Sequence, residues 1–203
     1  QGRTLTYHGN PTFSYTGLVP HINLDGTGDY LSRTSETDLV ILGNESIYSS
    51  SVRGLTMGAW INFTSVASTQ NLIRKNSGSP NISYTLVMVT GSPSIIRFAV
   101  SGNGSTTSTV DSAAITTSQW YYVVGRYKPS TEVTIFINDK NTTNTSSIPA
   151  SLFSGTQPFT VGCRSDIAQL VTGSMSLCFL SANYLSDSII LGLYQRSRLL
   201  FGV

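Results

Sequence analysis

Charge is scarce in this chain. Only 11% of its 203 residues are Asp, Glu, Lys or Arg, against roughly a quarter in an average soluble domain, and the formal net charge is +2. The cations are 3 lysines and 9 scattered arginines, which excludes the dense basic footprint that a nucleic-acid backbone demands. Long apolar runs are missing too. The longest, near Ile189 to Val203, is broken by Gly192, Gln195, Arg196, Ser197 and Arg198, which excludes a membrane-spanning helix. The chemically reactive residues are few: His8 and His21, Cys163 and Cys178, and the glutamates Glu36, Glu45 and Glu132.

In place of charge stand 31 Ser, 25 Thr and 12 Asn, so the surface is neutral and rich in hydroxyls. The 39% of hydrophobic residues are spread in short runs that can build a core, which argues against disorder. The length suits one large domain. The chain opens at Gln1, without Met or a signal peptide, and reads as a processed product or a piece of something longer. Low charge and scarce lysine suit an extracellular or virion-surface setting better than cytosol.

Short alternating runs recur at intervals of roughly 8 to 15 residues with Gly, Asn, Ser or Pro between them, the pattern of an antiparallel sandwich. Strands are expected at 21–24, 30–33, 55–63, 70–75, 84–90, 94–100, 119–127, 132–137, 159–163 and 172–180. In the clearest two, Met57 to Phe63 and Trp120 to Tyr127, Trp60 and Trp120 read as packing residues. Alternation sets Trp120, Tyr122 and Val124 on one face and Tyr121, Val123 and Gly125 on the other; which of Tyr121 and Tyr122 enters the core stays open. One segment reads as a helix, Ser186 to Phe201, with a Ser186/Asp187 cap, Ile189, Ile190, Leu193 and Tyr194 at helical spacing, and Gly202 beyond its end. It should plug an edge or end of the sandwich. Residues 1–20 form an extended arm that either adds a strand to its own domain or completes a sheet edge in another subunit. Cys163 and Cys178 lie in strand-like runs; neighbouring runs would permit a disulfide, while separate ones leave two free thiols.

In order along the chain stand Ile22-Asn-Leu-Asp-Gly-Thr-Gly-Asp-Tyr-Leu31, Gly54-Leu-Thr-Met-Gly-Ala-Trp-Ile61, Gln70-Asn-Leu-Ile-Arg-Lys75, Ile96-Arg-Phe-Ala-Val100, Gln119-Trp-Tyr-Tyr-Val-Val-Gly-Arg-Tyr127, Glu132-Val-Thr-Ile-Phe-Ile-Asn-Asp139 and Leu177-Cys-Phe-Leu-Ser-Ala-Asn-Tyr-Leu-Ser-Asp-Ser-Ile-Ile190. The series resembles the laminin-G-like branch of the concanavalin A-like jelly rolls, over roughly Leu18 to Tyr194. The resemblance implies an all-β fold: a two-sheet antiparallel jelly-roll sandwich, here with one short C-terminal helix, in which residues 21–203 form the domain. Lectins, pentraxins, laminarinase-type glycosidases, adhesion modules and phage virion proteins share it, so fold alone does not choose the role.

An enzymatic role is not expected. Retaining glycosidases need two carboxylates about 5 Å apart, which that family supplies as a Glu-x-Asp-x-x-Glu run absent here. No nucleophile elbow, Cys/His pair or P-loop accompanies the two histidines or the turn glycines. The resemblance implies a possible structural calcium at a loop rim, for which Asp25 and Asp29 are the candidates, with Asp166 or Asp111 joining from elsewhere; the competing reading is that Asp25 and Asp29 only shape a tight turn. For stacking on a glycan and bonding its hydroxyls, Tyr121, Tyr127, Arg126 and Arg97 are the candidates, from a pool that includes Tyr15, Tyr48, Tyr122, Arg74 and Arg164. Asn44, Asn62, Asn81, Asn103, Asn141 and Asn144 all sit in N-x-S/T sequons, where this composition gives roughly three by chance.

The expected function is a non-enzymatic structural or adhesion module, glycan contact included, assembled in multiple copies through the arm, with no nucleic-acid or membrane partner. The competing functions are a soluble calcium-dependent lectin and an accessory carbohydrate-binding domain of a glycosidase.

Overall fold

A computed structural model describes residues 4–34, 41–42 and 53–203. In chain order the strands are β1 (Thr6–His8), β2 (Thr12–Thr16), β3 (Val19–Asp25), β4 (Tyr30–Arg33), β5 (Arg53–Phe63), β6 (Gln70–Asn76), β7 (Ile82–Val89), β8 (Ile95–Ser101), β9 (Thr107–Ala114), β10 (Trp120–Lys128), β11 (Glu132–Ile137), β12 (Lys140–Asn144), β13 (Phe159–Val161) and β14 (Thr172–Asn183). Helix α1 (Asp187–Ser197) follows and runs into a 3-10 turn, Arg198–Phe201. Two seven-stranded antiparallel sheets result, ordered β1-β4-β13-β6-β7-β8-β9 and β12-β11-β10-β5-β14-β3-β2.

Between the sheets, alternate residues of each strand make one apolar core. From β5 come Met57, Ala59, Ile61 and Phe63, from β10 Tyr121, Val123 and Tyr127, and from the first sheet Leu72, Tyr84, Leu86, Met88, Phe98 and Val100. The other face of the second sheet is buried as well. Trp60, Trp120, Tyr122, Val124 and Phe136 form a second cluster there with Ile190 and Tyr194 of α1 and Phe201 of the 3-10 turn. Burial on both faces is why β5 and β10 read as nearly continuous apolar runs. Both tyrosines left open by alternation are therefore buried, Tyr121 between the sheets and Tyr122 beneath the helix.

The helix covers a sheet face instead of plugging an edge. Its start is fixed by Ser186, whose side chain accepts from the Ile189 N–H. The indole of Trp60 stacks on Phe201 at 4.3 Å between centroids, 17° from parallel, and its Nε1 donates to Ser197 Oγ at 3.0 Å. Arg126 clamps the near end: Nη1 reaches Asp187 Oδ1 at 2.5 Å and the Leu185 carbonyl at 3.0 Å, and the guanidinium lies 4.3 Å from the Tyr184 ring centroid.

The arm folds back on its own chain. β1 pairs with β4 on the edge of the first sheet and β2 with β3 on the edge of the second, with Tyr7 meeting Phe13 edge-on at 5.6 Å across the gap. Strands β1, β2, β9 and β12 lie outside the ten expected strands: β1 and β2 fall in the arm, where Phe13 and Tyr15 alternate with Thr and Ser, while β9 and β12 are rich in Thr, Ser and Asn and give little apolar alternation. Cys163 and Cys178 are both free, the first buried and the second exposed, which corrects the disulfide alternative.

Two internal positions make the packing testable. A Cβ on Gly125 would sit 2.4 Å from the buried Phe98 ring, so Gly125→Ala should cost about 1–3 kcal/mol in urea unfolding through overpacking. Lys75 is fully buried, its Nζ donating to the Gln157 carbonyl at 2.7 Å, and burial draws the amine from 10.5 down to about 8. Below pH 8 both folded and unfolded chains carry this charge and the burial penalty is complete. From about pH 8 towards 10.5 the folded chain releases its proton first, so stability rises. Unfolding midpoints measured across that window should climb, and Lys75→Met should flatten the climb.

Candidate functional site

With the helix on the second sheet, the outer face of the first sheet is the sheet face left for recognition. Inward-pointing Leu31, Phe159, Val161, Leu86, Phe98 and Val110 fix, by alternation, which residues point outward. Reading the register across six strands gives a stripe of Ser32, Thr160, Arg74, Thr85, Ala99 and Thr109. A neighbouring row is Asn71, Val87, Arg97 and Asp111.

A β-bulge assembles the centre of this face. Strict alternation along β6 puts Asn71 and Arg74 on opposite sides, but the register slips between Asn71 and Ile73, bringing both outward. Arg74 Nη1 then donates to Asn71 Oδ1, and Asn71 Nδ2 donates to Gln169 Oε1 at 2.7 Å. Gln169 belongs to the 162–171 loop, which runs alongside β6 through backbone bonds from Gly162 N to the Leu72 carbonyl and from Asn71 N to the Gln169 carbonyl. Arg74 and Thr85 are only 7% and 6% exposed, yet among the described residues Arg74 Nε and Thr85 Oγ1 find no hydrogen-bond partner. Burial, reinforced by the nearby Arg164 charge, draws the Arg74 guanidinium down to about 10.

Around this centre the rim is polar and solvent-reachable. Arg97 grips Asp111 with two bonds of 2.6 and 2.7 Å, and Arg164 grips Asp166 with the same pair of lengths. The Arg164 bonds hold the Asp166 carboxyl below the usual carboxylate range. At the β4 end, His8 stacks on Tyr30 at 4.2 Å and shares a 2.8 Å hydrogen bond with Ser32 Oγ. Burial pushes the neighbouring Cys163 thiol up to about 12, which keeps it protonated and unreactive.

Of the expected glycan contacts, only Arg97 reaches this face. Tyr121 and Tyr127 are core residues and Arg126 is buried against the helix start, so none of the three offers a surface to a sugar. Arg74 and Arg164 from the wider pool do belong here; Tyr48 lies outside the described residues. Asn71, Thr85, Thr160, His8 and Tyr30 were missed, because the bulge and the covering loop that bring them together leave no periodic signal.

Asp25 and Asp29, read either as calcium candidates or as shaping a tight turn, make turn contacts. Asp29 is buried, its two oxygens accepting the Asn10 and Asp25 N–H groups at 2.7 and 3.3 Å, while Asp25 Oδ1 accepts from Thr27 N at 2.6 Å. Asp111 and Asp166 are spent on their arginines, and no group of three or more His, Cys, Asp or Glu residues able to hold a metal occurs among the described residues. The two aspartates shape a turn and tie down the arm. Of the sequon asparagines, Asn103 and Asn141 are exposed and Asn62, Asn81 and Asn144 half-buried, with Asn44 outside the described residues. Asn144 is engaged, its Nδ2 donating to the Thr109 carbonyl. Asp29→Ala should lower stability by about 1–3 kcal/mol by orphaning buried N–H groups, whereas EDTA should leave the thermal midpoint of the unaltered protein unchanged; a midpoint that falls with EDTA contradicts the turn assignment.

The comparisons agree with this architecture. The family profile for the concanavalin A-like lectin/glucanases superfamily, laminin G type, matches residues 26–187. Curated proteins give no match. Among solved structures, the receptor-binding domain of botulinum neurotoxin C/D mosaic serotype superposes with a TM-score of 0.71 at 12% identity, over 98% of this chain and 49% of that one. The serotype G binding domain gives 0.70 at 8% identity, over 96% and 46%. The binding domain of botulinum neurotoxin DC in complex with SialylT gives 0.66 at 12% identity, over 95% and 46%. This chain thus spans about half the length of those domains, and at such identities the likeness is one of fold. With two seven-stranded antiparallel sheets in a sandwich and a profile match over most of its length, the chain belongs to the concanavalin A-like lectin/glucanases superfamily.

Proposed function

We propose that this domain is a non-catalytic carbohydrate-binding module that reads glycans on the outer face of its first sheet. The observation that carries the reading is the pair Arg74 and Thr85, cross-strand neighbours buried with a donor and a hydroxyl unpartnered. An orphaned buried polar group costs about 1–3 kcal/mol, a cost that a ligand hydroxyl or carboxylate would offset. The rim fits the same chemistry. Paired guanidinium and carboxylate edges present donors and acceptors side by side, as a sugar diol requires, and the Tyr30/His8 stack adds an aromatic element.

Three guanidiniums, Arg74, Arg97 and Arg164, against two carboxylates, Asp111 and Asp166, tilt the face towards glycans bearing an acid. Support by likeness comes from the neurotoxin binding domain that was solved with SialylT. The described carboxylates point away from hydrolysis, since each is engaged by an arginine, a lysine or turn N–H groups. The neutral, hydroxyl-rich composition supports display outside the cell, on a virion or cell exterior, where many copies pack without mutual repulsion.

A glycan array carrying neutral and sialylated structures tests the reading, with Thr85→Val as the discriminating variant. Removing an unpartnered hydroxyl in an isosteric swap should raise the thermal midpoint while weakening glycan binding about fivefold or more, and Arg97→Ala should weaken binding with little change in midpoint. Silence of the array with and without calcium, or binding indifferent to both substitutions, overturns it.

A further inference from the structure

A cavity lies on the opposite side of the molecule from the proposed glycan face, between α1 and the outer face of the second sheet. It has a volume of about 280 Å³ and is walled by Trp60, Tyr122 and Phe179, with Leu177, Leu193 and Arg196 contributing the rest of its lining together with Ser197. The β14 bulge makes the room. Ser176 opposes Trp60 and Phe179 opposes Gly58, so one extra residue is absorbed, with Leu177 at a φ of 47° and 52% exposed. Gly58 leaves space for the Phe179 ring to lie on the sheet, since a Cβ there would approach Phe179 Cε1 to 2.9 Å.

Three features of this cavity call for a ligand of one kind. Its walls are aromatic and aliphatic, so they favour an apolar body, and its volume is nearly twice the ~150 Å³ of a dry cavity that accepts benzene. The Tyr122 side chain is only 3% exposed and its hydroxyl has no hydrogen-bond partner among the described residues; burial keeps it protonated, so it holds a donor for an acceptor oxygen. Arg196, an exposed residue of the lining, has no ion-pair partner among the described residues. Trp60 Nε1, by contrast, is already satisfied by Ser197 and makes no demand.

We infer that this cavity is a binding site for a small amphipathic acid: an aryl or short alkyl body between Trp60 and Phe179, an oxygen within reach of the Tyr122 hydroxyl, and an anionic group drawn to Arg196. The site is separate from the proposed glycan face and does not depend on it. The same chemistry is offered by a free carboxylic acid and by the acyl end of an anionic lipid, and a vesicle arm separates the two.

The probe is 2-naphthoate, titrated into the whole chain and followed by tryptophan fluorescence, because Trp60 lines the cavity and reports occupancy. Saturable binding with one-to-one stoichiometry is expected. Tyr122→Phe should weaken it about fivefold to tenfold, the worth of one hydrogen bond. Arg196→Gln should weaken 2-naphthoate but leave the uncharged 2-naphthol unchanged, a split that a merely structural role for Arg196 would not produce. Leu193→Trp, which fills the cavity from the exposed side of α1, should abolish binding with the thermal midpoint retained. Vesicles of phosphatidylglycerol that compete with 2-naphthoate assign the site to lipid acyl chains, and vesicles that do not compete assign it to a free acid; either supports the inference. Absence of saturable binding to the unaltered protein overturns it, as does binding unaffected by both Tyr122→Phe and Leu193→Trp.

Discussion

The packing of Trp60 against Phe201 is the contact on which the rest of the molecule depends. It joins the central strand of the second sheet to the last turn of the chain, and Tyr194 and Trp120 close around the same pair. Each aromatic side chain removed from water contributes on the order of 2–3 kcal/mol, so the cluster secures the helix far better than its own helical propensity could, 11 residues being marginal alone. Arg126 fixes the other end of the helix through Asp187 and the Leu185 carbonyl. The consequence is topological: both faces of the second sheet are taken up by packing apart from the cavity beside α1, and the proposed glycan recognition is left to the first.

That first sheet departs from the regularity of the second where function would need it. The slip in β6 sacrifices ladder regularity to bring Asn71 and Arg74 to one side, where Arg74 Nε and Thr85 Oγ1 are buried without a hydrogen-bond partner among the described residues. Ile167 and Gln169 hold positive φ in that loop, a conformation that costs non-glycine residues energy. Departures of this kind, which recur at Leu177 and at the Tyr122 hydroxyl beside α1, are the places where a binding role is to be sought.

The sandwich and its helix were legible in the sequence because their cause is periodic. Burial on alternate positions wrote Met57 to Phe63 and Trp120 to Tyr127 into the apolar pattern, and the Ser186 cap stood where a cap belongs. The edges were less legible: β9 and β12 are rich in Thr, Ser and Asn, whose strand identity comes from the neighbours they pair with. The site was least legible of all. Arg126 was attractive as an exposed cation only while the helix was not known to lie on its sheet, and Tyr121 and Tyr127 only while the strand face that enters the inter-sheet core was open, because alternation cannot say that a sheet is covered on both sides. Arg97 was recognisable as a cation on a strand, but its partnership with Asp111 spans two strands, and the meeting of Asn71 with Arg74 needs a bulge that no residue type announces.

The two tryptophans provide the most direct measurement, since both lie in the helix-covered face and no third indole confuses the signal. Acrylamide quenching of the folded chain should find a blue-shifted emission that resists quenching until the protein unfolds in a single transition. A red-shifted emission with a readily quenched fraction would show an indole facing solvent, leaving the outer face of the second sheet uncovered and removing the reason to place glycan recognition on the first.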